Sequence, residues 1–222
     1  MSFILNIDTA LESAFVSIVK DGEVLQVAAS NDQKDHAAWL HPAISSLAKQ
    51  TGITLNRLNA VAVSIGPGSY TGLRVGLSAA KGFCYALDIP LITIGTLQLL
   101  AASVQDKSVD LICPLIDARR MEVYAALYDK NVQEIKPPHA RVLNEHSFME
   151  WLNSQVVLFC GMGSKKLRPL QHHPNAFFIE SVISPQSFGR LSQKSYMEKQ
   201  FADLAYSEPL YVKEFYSPAR KE

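Results

Sequence analysis

Hydrophobic positions along this chain switch between strand-like runs and helical spacing. Residues 3–7 form a short apolar run that predicts a strand ending at Asp8. Residues 14–19 and 24–28 read as two further strands. Between them stands Asp21-Gly22, a dipeptide suited to a hairpin turn because both residues tolerate positive φ. Over residues 36–50 the spacing becomes helical, with Leu40, Ile44, Leu47 and Ala48 on one face and Pro42 expected to kink the helix. Residues 60–65 predict a buried strand running into Gly66-Pro67-Gly68-Ser69. A helix over about 72–87, a short strand at 91–94 and a helix to about Gln105, N-capped by Thr96, should follow. Three strands followed by strand–helix alternation predict a mixed sheet covered by helices.

The second half repeats this pattern. Residues 111–116 lead to Asp117 as residues 3–7 lead to Asp8, and at the same offset Phe15 meets Tyr124 and Ile18 meets Leu127. Residues 61–69 parallel residues 156–164, and both stretches end in Gly-x-Gly-Ser (Gly66-Pro67-Gly68-Ser69, Gly161-Met162-Gly163-Ser164). Each half therefore reads strand–Asp–hairpin, then strand–GxGS–helix. The expected architecture is a duplicated two-lobe α/β chain, residues 1–104 and 105–222.

Composition narrows the function. Lys and Arg number 21 against 21 Asp and Glu, so the chain lacks the basic surplus of a free-standing polyanion binder. Lys165, Lys166 and Arg168 form one small basic cluster, read as a solvated face. No apolar run approaches the roughly 18–20 residues of a membrane helix, and no basic region precedes Asp8 as in a signal peptide. Cys84, Cys113 and Cys160 sit singly in apolar segments, as expected of reduced core residues in a cytoplasmic protein.

Candidate chemistry is sparse. Facing each other across a cleft, Asp8 and Asp117 would hold a metal or its water shell. The backbone amides of the turns at Gly66, Gly68, Ser69, Gly161 and Gly163 would approach phosphate oxygens. Both common phosphate templates fail, however. GxGxxG would need glycine where Thr71 stands, and the P-loop would need lysine where Leu73 stands. A plain tight turn remains an equal reading. His36 and His41 are five residues apart and share no helix face, and no HExxH occurs, so no metal site is expected. Ser69 lacks an identifiable base, there is no GxSxG, and Cys84 lies mid-helix where its thiolate is disfavoured. The helix over 72–87 carries two apolar stripes, which call for two partners. The second is either a helix of the same chain or another protein.

Four segments carry a resemblance. They are Asp8-Thr9-Ala10, the run from Ser64 to Gly76 (SIGPGSYTGLRVG), Ile116-Asp117-Ala118-Arg119-Arg120 with Glu122-Val123-Tyr124, and Glu208-Pro209-Leu210-Tyr211. Together, over nearly the whole chain, they resemble the TsaB (YeaZ) family. The resemblance implies two duplicated actin-like lobes of the sugar-kinase and Hsp70 ATPase superfamily (ASKHA, RNase H-like), with the C-terminal segment returning to the first lobe. It also implies a non-catalytic scaffold in forming N6-threonylcarbamoyladenosine beside the tRNA anticodon. The partners would be the catalytic paralogue TsaD and the ATPase TsaE, with a homodimer when alone and tRNA held mainly through the complex. The implied partner interface lies on Leu40, Ile44, Leu47, Leu73, Arg74, Gly76, Leu77, Ala80, Lys81 and Cys84, so Ala80→Arg should leave a folded monomer unable to support modification. Asp8-Thr9-Ala10 lacks the glycine that phosphate-handling relatives place after this Asp. No nucleotide is expected to bind tightly, only ATP or ADP with magnesium, weakly, at a complex interface. Met121 stands where relatives often carry glycine. Without a nucleophile or paired histidines, the older glycoprotease description of the family does not extend to this chain. The runner-up is a small-molecule or acyl kinase of the same fold using Asp8, Asp117 and the glycine turns.

Overall fold

The computed structural model describes residues 1–31, 35–104 and 108–213. In chain order the first half gives β1 (Phe3–Asp8), β2 (Ala14–Lys20), β3 (Glu23–Ser30), α1 (His36–Thr51), β4 (Ala60–Ser64), α2 (Tyr70–Leu87), β5 (Leu91–Ile94) and α3 (Thr96–Ala102). The second half gives β6 (Leu111–Asp117), β7 (Glu122–Asp129), β8 (Glu134–Val142), α4 (Met149–Leu152), β9 (Val157–Cys160), α5 (Ser164–Leu167), β10 (Ala176–Ile179) and α6 (Pro185–Met197). The strands form two five-stranded sheets ordered β3-β2-β1-β4-β5 and β8-β7-β6-β9-β10. In each sheet the first three strands are antiparallel and the last two run parallel to the first. The order and sense of strands are thus the same in both halves. Asp8 ends β1 as Asp117 ends β6, which is the duplication read from the sequence.

Strand alternation sorts the core into layers. Leu5 and Ile7 of β1, with Val61 and Val63 of β4, face outward and pack under α1 and α2. Ile4, Ala62, Ile92 and Ile94 face inward, where they share one core with Ile112, Ile116 and Leu158 of the second sheet. Leu97 and Leu100 of α3 and Phe188 of α6 complete that shared core. Helix α6 follows the second sheet in the chain yet lies against strands of the first, so the two sheets are laced together. A third cluster, with Phe148 and Phe159 at its centre, covers the outer face of the second sheet.

Local chemistry adjusts three boundaries. Helix α2 begins at Tyr70, because Ser69 caps it by accepting a bond from the Gly72 amide at 3.3 Å. Thr96 is the first residue of α3 rather than its cap, which is Gly95, and the expected helix end at Gln105 lies outside the described residues. Helix α1 continues through Pro42 to Thr51 and ends on Gly52 in the left-handed conformation. The halves differ most in their outer helices. Helices α1 and α2 have 16 and 18 residues, whereas α4 and α5 in the equivalent positions have 4 each.

Phe188 meets Phe15 edge-on, with ring centroids 6.1 Å apart, at the centre of the shared core. Phe188→Ala should therefore lower unfolding free energy by about 3–5 kcal/mol, read from the urea midpoint.

Candidate functional site

The Gly66–Gly72 turn sits tightly on the end of β1. A Cβ on Gly68 would overlap the carbonyl oxygen of Ala10, and one on Gly72 would overlap that of Thr9. The Ser69 amide donates to Ala10 O at 2.7 Å, and Thr9 Oγ1 donates to Gly72 O at 2.7 Å. These glycines are needed so that two stretches of backbone can touch. Asp8 is only 2% exposed, and its Oδ1 accepts from Ser64 Oγ at 2.5 Å and from the Ala10 amide at 3.1 Å. Burial pushes its carboxyl up to about 6, against the opposing pull of those two hydrogen bonds.

The second half repeats the turn. Gly161 takes positive φ, as Gly66 does, and Gly163 lies against Leu115 O, to which its amide donates at 2.9 Å. The Gly161 amide donates to Ser181 Oγ at 3.0 Å. Asp117 is exposed, paired with Lys166 Nζ at 2.6 Å and bonded by the Arg119 amide at 2.6 Å. Burial acts to raise its carboxyl, but these two bonds outweigh it and hold the group below the ordinary carboxylate range. Asp8 and Asp117 are therefore each engaged within their own half of the chain. The amides of Ser69, Gly161 and Gly163 are likewise already bonded within the chain. Among the described residues, no three His, Cys, Asp or Glu side chains group so as to hold a metal ion.

Of the ten residues expected at a partner surface, eight are buried, whereas Arg74 is exposed and Lys81 half-buried, and each of these two has a partner within the chain. Leu40, Ile44 and Leu47 of α1 and Leu77, Ala80 and Cys84 of α2 are buried together over the first sheet. Leu73 and Gly76 are buried as well, and a Cβ on Gly76 would overlap Thr9 Oγ1. Burial pushes the Cys84 thiol up to about 11, which removes it as a nucleophile. Arg74 lies 4.0 Å over the Tyr70 ring and donates from Nε to Tyr211 Oη at 3.0 Å. Lys81 Nζ donates to the carbonyls of Ala205 and Ser207 at 3.0 and 3.2 Å. Thus the apolar stripes of α2 find their second partner in α1, and its two cations find theirs in residues 205–211. Thr9, Tyr70 and Tyr211 lay within the motifs read from the sequence. Their roles were invisible there because Tyr211 is 137 residues from Arg74.

The outer face of α1 and α2 exposes His41, Ser45 and Lys49, with Leu55 and Phe83 half-buried between them and Ile44 beneath. A groove of about 550 Å³ runs along it, lined by His41, Ser45, Lys49, Ile53, Leu55 and Phe83. On the adjoining surface Ser78, Gly82 and Ala86 are exposed, and Tyr85 is 84% exposed.

Comparison with known proteins agrees with this geometry. Residues 24–209 match the family model described as TsaD: tRNA N6-adenosine threonylcarbamoyltransferase. The tRNA threonylcarbamoyladenosine biosynthesis protein TsaB of Bacillus subtilis is 29% identical over 95% of this chain and 93% of its own length. That of Escherichia coli is 33% identical over 58% of this chain and 55% of its own length. The structure of YeaZ from Pseudomonas aeruginosa superposes with TM-score 0.80 at 23% identity, covering 95% of this chain and all of that one. The chain belongs to the TsaB (YeaZ) family. Its two-lobe fold is shared with an ADPNP-bound activator of 2-hydroxyisocaproyl-CoA dehydratase from Clostridium difficile. That match has TM-score 0.50 and 10% identity over 90% of this chain and 96% of the other. Such distant matches establish the actin-like architecture. No helix among the described residues is long and apolar enough to cross a membrane.

In this TsaB-family chain the sealed carboxylate has a measurable consequence. Because Asp8 holds its proton more tightly folded than unfolded, the folded state binds more protons between about pH 4 and 6. Stability therefore falls as pH rises through that window. Asp8→Asn, which can accept the same two bonds, should flatten that slope and raise stability at pH 7.5 by about 2–3 kcal/mol. Denaturant titrations at pH 5 and pH 7.5 check both.

Proposed function

We propose that this chain is a non-catalytic scaffold and activator subunit for forming N6-threonylcarbamoyladenosine in tRNA, beside the anticodon. It works with a TsaD-like catalytic paralogue and a TsaE-like ATPase. The observation that carries the reading is that the carboxylates and glycine turns of both lobes are engaged in backbone packing and local ion pairs. The long outer helices of the first lobe meanwhile keep a groove and a bare tyrosine on the surface. The TsaB names of its relatives point to the same tRNA modification.

On this reading the outer face of α1 and α2 binds the paralogue and pairs with itself in a homodimer when the chain is alone. The partner surface consists of residues around Gly82 and Tyr85 and the groove, not of the buried stripe that includes Ala80. ATP or ADP with magnesium is engaged only weakly and at the interface of the complex, and tRNA is held mainly by the paralogue.

Two substitutions two residues apart, on opposite faces of α2, test this. Around Gly82 no atom lies within 4 Å of the position a Cβ would take, so Gly82→Arg should keep the fold. It should also abolish co-purification with the tagged paralogue and cut reconstituted threonylcarbamoyladenosine formation at least tenfold. Ala80, fully buried, should instead unfold as Ala80→Arg, seen as loss of the circular-dichroism transition. A folded Gly82→Arg protein that binds the paralogue as the wild type does would remove the proposed surface.

A further inference from the structure

The turn between β6 and β7 is the most exposed charged feature that the scaffold reading leaves unused. Arg119 and Arg120 occupy consecutive left-handed positions, with φ of +68° and +46°. Residues with a Cβ are disfavoured there, and glycine or asparagine would sit with less strain. Both arginines are exposed, and among the described residues neither guanidinium has an ion-pair or hydrogen-bond partner. The turn is held by the Arg119 amide on Asp117 Oδ1 at 2.6 Å and by the Glu122 amide on Arg119 O at 3.1 Å, while both guanidinium groups are left to solvent.

The nearby acids cannot neutralise these arginines, because other cations already hold them. Asp117 is paired with Lys166, and Glu122 with Lys213. Lys166 also donates to Glu122 O at 3.4 Å, which ties helix α5 to the turn. On α5 and at its end, Lys165 pairs with Glu180 at 3.2 Å, whereas Arg168 is exposed and, among the described residues, unpaired. Among the described residues, these contacts gather four basic side chains at the turn, Arg119, Arg120, Lys166 and Lys213, against two acidic ones, Asp117 and Glu122, on a chain whose net charge is zero. Through Lys166 the basic cluster at 165–168 reaches the Arg119-Arg120 motif, far apart from it in sequence.

We propose that this surface, led by Arg119 and Arg120, contacts the phosphate backbone of the substrate RNA. Guanidinium groups suit phosphate oxygens because their fork of donors matches a bidentate acceptor. Charged, solvated contacts of this kind position nucleic acid without reading its sequence. RNA is favoured over an acidic protein because the relatives are named for a tRNA modification, so the inference rests on the tRNA reading above. It adds a contact made by this subunit itself, beside those of the paralogue.

Arg119→Asn/Arg120→Gly removes both charges and places residues suited to positive φ at both positions. Its expected signature is a raised melting temperature together with weakened RNA binding. Binding of in vitro transcribed tRNA is measured by fluorescence anisotropy at several salt concentrations, for the chain alone and for its complex with the paralogue. The variant should bind at least tenfold more weakly, and the slope of log affinity against log salt should fall by about 1.5, as expected on losing two phosphate contacts. Association with the paralogue should be unchanged. Arg119→Lys/Arg120→Lys, which retains the charge, should keep most of the salt slope. Unchanged tRNA affinity and salt slope in the Asn-Gly variant overturn the proposal. So does unchanged tRNA binding with lost paralogue binding, which would assign the turn to an acidic protein surface. A wild-type chain that fails to bind the paralogue defeats the scaffold reading, while the anisotropy of the chain alone still decides this one.

Discussion

The first lobe depends on how closely the turn before α2 approaches the end of β1. The carbonyl oxygens of Thr9 and Ala10 occupy the space that side chains on Gly72 and Gly68 would need. Only glycine permits that approach, and hydrogen bonds from Ser69 N to Ala10 and from Thr9 Oγ1 to Gly72 O hold it. With its first turn fixed there, α2 lies over β1 and β4, and Leu77, Ala80 and Cys84 drop into the layer that Leu40, Ile44 and Leu47 of α1 share. The same approach seals Asp8 beneath the turn, where burial rather than any charged partner sets its proton affinity. One backbone contact thus organises the outer helical layer and closes off the carboxylate.

The second lobe carries the same turn with a different outcome. Gly161 and Gly163 lie on Leu115 as Gly66 and Gly68 lie beside their own neighbours, and the strand order is identical. Yet α4 and α5 have only 4 residues each, so the outer face of that sheet is closed by Phe148 and Phe159 rather than by long helices. The duplication conserves sheets and turns, while the helices diverge. This leaves the first lobe with an extended helical surface and the second with a short-helix face whose charges gather near Asp117.

Residues after β10 act as an internal partner for the first lobe. Helix α6 brings Phe188 into the core between the sheets, and Ala202 forms a bridge with Leu91 at the edge of the first sheet. Further on, Leu210 N donates to Ile65 O at 2.7 Å, and Tyr211 receives Arg74. Arg74 and Lys81 on α2 look like free cations in the sequence, but they serve to fasten this returning segment.

The sequence by itself determined the local and the periodic. Strand runs, the helical stripe of α1, the buried face of α2 and the internal repeat all follow from spacing, and the motif SIGPGSYTGLRVG identified the family. Boundaries slipped where a side chain or backbone competed for a cap, as when Ser69 started α2 at Tyr70 and Gly95 displaced Thr96. What only the tertiary structure decided was which partner each surface meets. An apolar stripe has the same pattern whether it packs on its own sheet or on another protein, because hydrophobic burial is non-directional. Leu73, Gly76 and Ala80 therefore read equally well as interface or core until α1 and the sheet were placed against them. Likewise Arg74, Lys81 and Asp117 carry charge in any reading. Their partners lie tens of residues or more away in the chain, and only folding brings those groups within hydrogen-bonding reach.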